Sequence, residues 1–397
     1  MFEARERLPY GKTERLCALA RQAKKDITMI ERLYVDNYRS LVNFEIRFSE
    51  LTLLVGSNGV GKTSILDVLF ALRRLLCGES RLTEEDAFPP STLTRWQKRA
   101  RQVLELDAVL EGDVLRYRLE IDHEPITRKA RIATERLEVG GNPLFHFETG
   151  DVRLYRDDHS EGPAFGADWT ESAMARVPPR SDNTRLSRFL EHVRKMIVCG
   201  IYPASFAPES STEDPILKRD GRNFAAWYRH ILLERPELVP EFTAALQEVI
   251  DGFRSIRMEK VGLDSRALMV MFEEQEGRYE LRLDEISDGQ RALIALYALV
   301  KLAAGQGYTL FLDEPDNYVA LAEIQPWLIE LSDSCGGEVP QAVLCSHHPE
   351  LIDYLGADRG LLLRRESTGV TVARSLREST VEDGLRLSER IARGWER

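Results

Sequence analysis

Cysteine is scarce and unpatterned: there are five in 397 residues, Cys17, Cys77, Cys199, Cys335 and Cys345, with no C-x-x-C spacing. A disulfide framework and a zinc site of ordinary ligand spacing are thereby excluded, and reduced, buried thiols in a cytoplasmic protein are the simplest expectation. Long apolar runs are missing too, so neither a membrane span nor a membrane partner is expected. The opening MFEARERLPYGKTERLCALARQAKKD has no apolar centre and does not read as a signal peptide. No internal repeat and no sustained heptad pattern occurs, which excludes a solenoid and long coiled-coil arms. Positive charge is also in deficit, with a formal net charge of −11. A protein whose whole surface coats nucleic acid is basic, because neutralising phosphates dominates that affinity. Any contact with DNA must therefore use a local patch or a composite surface.

What is present is the composition of a globular chain, 43% hydrophobic and 30% charged, long enough for one large or two ordinary domains. Residues 1–28 read as a charged, helix-prone extension, from an appended helix or an upstream start codon. The packed fold begins at Met29. Ile30 to Val35 and Val42 to Phe48 read as strands, the second alternating Val42, Phe44, Ile46 and Phe48 with polar positions. Between them Asp36 to Ser40 is a turn, better taken as plain surface than as a nucleotide contact through Tyr38 and Arg39.

The most informative stretch is GSNGVGKTS, Gly56 to Ser64, which fits G-x-x-x-x-G-K-[ST]. It lies between the apolar run Leu51 to Val55 and a segment with Ile65, Leu66, Leu69, Phe70, Leu72 and Leu76 at helical spacing. A buried strand thus feeds a helix start, where unpaired N–H groups face an anion. Glycines let the backbone wrap a phosphate, Lys62 reaches the β- and γ-phosphates, and the Thr63 hydroxyl serves a Mg²⁺ shell.

Further along, Thr94 to Gln102 is the densest basic run. Arg95, Lys98, Arg99 and Gln102 are compatible with one helical face beside Trp96 as a DNA patch, although a solvated or ion-paired edge explains such a run better. Residues 103–155 read as β-hairpins with turns at 111–113, 140–142 and 149–151, and 156–184 as a mobile polar loop. A helical and mixed region follows: 185–196, 197–202, 223–233 and 236–250. Strands at 267–272 and 279–283 come next.

Ser287 with Gln290 is a capping box opening an amphipathic helix. Tyr308 to Asn317 is a buried strand ending in Asp313-Glu314, where carboxylates at a strand's C-terminal edge can meet a ligand. Gln341 to Cys345 is another strand, ending in Ser346-His347-His348. A paired-histidine metal site is discounted, since neighbours on a strand point to opposite faces.

In this order the pieces resemble the ATP-binding-cassette ATPases, and specifically the branch with RecF, the SMC proteins and the OLD-family ATPases. The likeness runs from Met29 to the C-terminus and includes MIERLYVDNYRSLVNFEIRFSELTLLVGSNGVGKTSIL, LKRDGRNFAAWYRHI, DEPDN and SHHPELID. It implies an α/β, ABC-type P-loop NTPase head with an antiparallel β subdomain and an inserted helical and mixed lobe. The corresponding portions are 29–102, 103–285 and 286–397. It also implies ATP and Mg²⁺ as cofactors, with Gly56, Asn58, Gly59, Gly61, Lys62, Thr63 and Ser64 around the phosphates and Thr63 and Asp313 on the metal. Glu314 would position or deprotonate water, and His347 would touch the γ-phosphate. Ser287, Gly289 and Gln290 would serve the nucleotide of a second copy, in a head-to-tail homodimer.

The chain departs from the pattern at four points. Asp288 replaces the second signature glycine, YVALAE replaces a Leu-His-Pro, His348 takes a position usually held by Ser, and the glutamine loop has only Gln97 and Gln102 as positional candidates. Only Pro349 to Arg397 follows His348, too little for a nuclease domain. The expected function is that of an ATPase subunit in a genome-maintenance or phage-defence system, acting with a separate effector protein. An ATP-gated DNA clamp with slow turnover is the alternative, and an ABC-transporter ATPase a more distant one.

Overall fold

The computed structural model describes residues 28–379, except 125 and 128, and 385–394. Apart from Thr28, the extension at 1–28 lies outside the described residues. So do residues 381–384 and 395 of the last helix expected at 381–395, of which α8 (Leu387–Ala392) is described.

The chain opens with β1 (Thr28–Asp36) and β2 (Phe44–Arg47), an antiparallel pair, and then enters β3 (Leu51–Val55), buried along its whole length. After α1 (Lys62–Leu76), the strands β4 (Arg101–Leu110), β5 (Asp113–Glu124), β6 (Lys129–Val139), β7 (Asn142–Glu148), β8 (Asp151–Tyr155) and β9 (Glu161–Gly166) add hairpin by hairpin. Together they form an eight-stranded antiparallel sheet in the order β2-β1-β4-β5-β6-β7-β8-β9. The loop expected at 156–184 is thus corrected. It contains β9 and a turn at Met174–Arg176 whose Met174 is fully buried, so an apolar anchor outweighed the polar composition around it.

Helix α2 (Thr184–Arg194) then leads into β10 (Met196–Gly200), and here part of the stretch 103–285 enters the central sheet. That six-stranded sheet has the order β10-β15-β16-β3-β17-β18, with β15 (Thr309–Asp313), β16 (Gln341–Cys345), β17 (Gly360–Arg365) and β18 (Thr371–Ser375). All pairs are parallel except β17 with β18. Its inner strands read as unbroken apolar runs because both faces are covered. On one face Leu54, Val198, Phe311 and Val343 join a core shared with α1 and the antiparallel sheet. On the other, Leu53, Cys199, Leu312 and Leu344 pack under α5 (Asp288–Lys301), α6 (Leu321–Ser334) and α7 (Pro349–Arg359).

The inserted lobe comprises α3 (Phe224–Glu234), α4 (Val239–Val249), and a small sheet of β11 (Glu209–Ser210), β12 (Phe253–Lys260), β13 (Arg266–Glu274) and β14 (Gly277–Arg282). Strand β12 is an addition to the sequence reading. Among the described residues, no helix is long and apolar enough to cross a membrane.

Candidate functional site

Strands β15, β16 and β3 run in one direction, so their carboxyl ends present Asp313, Ser346 and Gly56 along a single edge. Ligands of open α/β sheets sit at such an edge. The loop leaving β3 is tightly held. Gly56 has φ 157°, and a Cβ there would lie 2.6 Å from the Leu363 carbonyl oxygen on β17. Gly61, at φ 110°, caps α1 and is wedged against Thr371 and Ser40. Thr371 Oγ1 donates to the Val60 carbonyl at 2.7 Å, so the C-terminal hairpin braces the loop from outside.

Asn58, Gly59, Gly61, Lys62, Thr63 and Ser64 share a cleft of about 410 Å³ with Arg39, Arg95, Trp96, Glu314 and Arg365. Lys62 is buried, and its ammonium donates to the Gly56 carbonyl at 2.6 Å. With a longer bond to the Ser57 carbonyl at 3.4 Å, one donor of the ammonium is left for an anion in the cleft. Thr63, in the first turn of α1, is close enough to Asp313 to stabilise its carboxylate, yet that carboxyl is raised above its ordinary range, mainly by burial; the Arg219 cation and Thr63 pull the other way. A hydroxyl beside a buried carboxylate is a hard-oxygen pair suited to Mg²⁺.

Glu314 stands at the end of β15 with φ 47°, its N–H bound to the Cys345 carbonyl at 2.8 Å. His347 Nδ1 lies 3.2 Å from Glu314 Oε1, and Asn317 Nδ2 donates to Glu314 Oε2 at 2.9 Å. His348 turns elsewhere: its Nδ1 accepts from the Glu350 N–H at the start of α7. Among the described residues, no group of His, Cys, Asp and Glu is arranged to hold a metal ion by itself.

These comparisons follow from the architecture. The family model described as "AAA domain, putative AbiEii toxin, Type IV TA system" (AAA_21) matches residues 51–353, most of the chain and every motif above. The chain belongs to this family. No curated protein matches it. An SMC head bound to the C-terminal winged-helix domain of ScpA is similar with a TM-score of 0.52 at 15% identity, covering 88% of this chain and 99% of that one. A Pyrococcus furiosus SMC head with an extended coiled coil, bound to the C-terminal domain of ScpA, gives 0.53 at 13%, covering 94% and 100%. The fold of this AAA_21 ATPase is thus that of an ABC-type head of the SMC and RecF kind.

Gly56, Asp313 and His347 stand behind or beside the cleft without lining it, and Ser287, Gly289 and Gln290 belong to another element, the start of α5. Ser287 and Gln290 form the capping box of α5, Ser287 Oγ accepting from Gln290 N at 3.2 Å and Gln290 Oε1 accepting from Ser287 N at 3.1 Å. Gly289 abuts the Tyr318 carbonyl, where a Cβ would approach to 3.1 Å. None of the three lines the cleft that Lys62 lines.

Two expectations are corrected. Residues 94–100 form no helix, so Arg95, Lys98, Arg99 and Gln102 share no helical face. Arg99 instead pairs with both oxygens of Asp36, and Arg101 with Glu120 and Asp122. Neither glutamine reaches the cleft: Gln97 accepts from Arg99, and the fully buried Gln102 donates to the Asn37 carbonyl and meets His123. On its outer side β15 pairs with β10, and the loop leaving β10 carries Tyr202.

Arg39, read as surface, lines the cleft and reaches Asp67 at 2.6 Å. Trp96 lies under the Arg365 guanidinium, 5.5 Å from ring centroid to carbon. Arg219 had no spacing signal at all; the only hint was its place in the LKRDGRN segment.

Proposed function

We propose that this ATPase binds ATP with Mg²⁺ in the Gly56–Ser64 cleft, hydrolyses it, and dimerises around it. The observation that carries the reading is the meeting of Glu314 and His347 at 3.2 Å, at the strand end that also carries the buried Asp313. The Lys62 ammonium would move from the Gly56 carbonyl to the β- and γ-phosphates, joined by the backbone N–H groups of the loop. Glu314, oriented by Asn317, would accept hydrogen bonds from the attacking water, and His347 would donate to the γ-phosphate. Mg²⁺ held by Thr63 and Asp313 would neutralise charge between the β- and γ-phosphates.

The separation of Ser287, Gly289 and Gln290 from the Lys62 cleft supports a composite site completed by a second copy, head to tail. A separate effector protein is supported by the two SMC heads, each bound to a domain of another polypeptide, ScpA. The toxin-system wording of the family description favours a defence role over transport.

Calorimetry and phosphate release test this reading. Lys62→Ala should lose ATP binding, whereas Glu314→Gln should keep it while turnover falls about a hundredfold or more. Wild-type turnover in Glu314→Gln would contradict the assignment.

A further inference from the structure

Asp313 already has a cation against it. Arg219 Nη2 lies 3.5 Å from Asp313 Oδ2 and 3.1 Å from Asp67 Oδ1, with the guanidinium carbon 5.9 Å from the Phe70 ring centroid. Its other terminal nitrogen, Nη1, is buried and finds no hydrogen-bond partner among the described residues. The guanidinium is thus shared between two carboxylates and incompletely satisfied, although planar, bidentate pairing is what arginine does best. Its backbone is fixed, since the Arg219 carbonyl accepts from Gly200 N at the end of β10, at 2.8 Å. The side chain can therefore redistribute between Asp313 and Asp67 while its Cα stays in place.

A divalent cation on Asp313 cannot share that carboxylate with a guanidinium at no cost, because the two positive charges repel. We propose that Arg219 is the resident counter-cation of the metal site: a positioning residue that holds Asp313 until Mg²⁺ takes that carboxylate, and then pairs with Asp67 alone. Arg219 comes from the inserted lobe and Asp67 from α1. The exchange therefore changes an ion pair between lobe and head whenever the site fills. This inference rests on the nucleotide reading above.

Mn²⁺ titration of the ADP complex of the full chain, read by electron paramagnetic resonance of free Mn²⁺, tests it. In Arg219→Ala the half-saturating Mn²⁺ concentration should fall about threefold or more, and Arg219→Lys should return part of the way to wild type. Asp67→Asn removes the guanidinium's second partner and should raise that concentration, a rise that disappears in the double variant Asp67→Asn/Arg219→Ala. ADP affinity measured in EDTA should be the same in all of them. An unchanged or raised half-saturation in Arg219→Ala overturns the proposal. A loss of ADP affinity in EDTA also overturns it, making Arg219 a phosphate ligand. Wild-type protein that binds ADP but takes up no Mn²⁺ overturns both this proposal and the metal assignment, and absence of ADP binding overturns the nucleotide reading itself.

Discussion

Glu314 shows how a single residue can carry strain for a site. Its left-handed backbone, φ 47°, costs a non-glycine residue about 1 kcal/mol, and the cost is offset by the bond from its N–H to Cys345 and by Asn317 and His347 on its carboxylate. A second carboxylate is perturbed for structural reasons. Glu135 is fully buried in β6, accepting from Tyr117, from Ser172 and from Ala173 N, and burial lifts its carboxyl from 4.5 to about 7. The folded state therefore keeps this proton where the unfolded chain has lost it. The stability linked to it is fully present below pH 4.5 and is lost as pH rises towards 7, by about 3 kcal/mol at most. Glu135→Gln should remove that decline, as checked by urea unfolding at several pH values between 4.5 and 7. At this scale the placement of Asp313, Glu314 and His347 at strand ends beside the loop of Lys62 and Thr63 was legible, because each stands in or next to a local motif. Arg219 was not, since its partners Asp67 and Asp313 lie far away in sequence and no local pattern marks it.

Among the elements, one amide stands at the join between the two large sheets. Gln341, at the start of β16, accepts from Ile30 N at 3.0 Å and donates to the carbonyls of Ile30 at 2.8 Å and Ser49 at 3.1 Å. It serves β1 where the pairing with β4 slips between Ile30 and Arg32. Gln341→Leu would leave those backbone groups buried without partners, and should cost about 3 kcal/mol in denaturant unfolding. The sequence pattern disclosed β1 to β8 well, because alternation and turn residues are local signals. It did not disclose that β10 belongs beside β15, since MIVCG is equally apolar in any buried setting. The basic run at 94–102 is the ion-paired edge preferred from sequence, and only its helical spacing was accidental, since Asp36, Glu120 and Asp122 pair with it in extended geometry.

For the molecule as a whole, the net charge of −11 agrees with a sheet surface whose arginines are largely matched. On it Arg32 pairs with Glu45 and Glu105, and Arg118 with Glu105 and Glu120. Such a face offers no broad positive field, so a nucleic-acid partner would need a surface built by two copies or by an effector. The family and the ABC-type head were legible because four motifs keep their order over the length of the chain. The proposed division of the site between two copies was legible only in part, since which residues line the Lys62 cleft is a property of the fold. That division is the central claim, and light scattering of the Glu314→Gln variant tests it most directly. The mass should double on adding ATP with Mg²⁺ and stay single without nucleotide or when Lys62→Ala is added. A single mass under every condition would contradict the composite site.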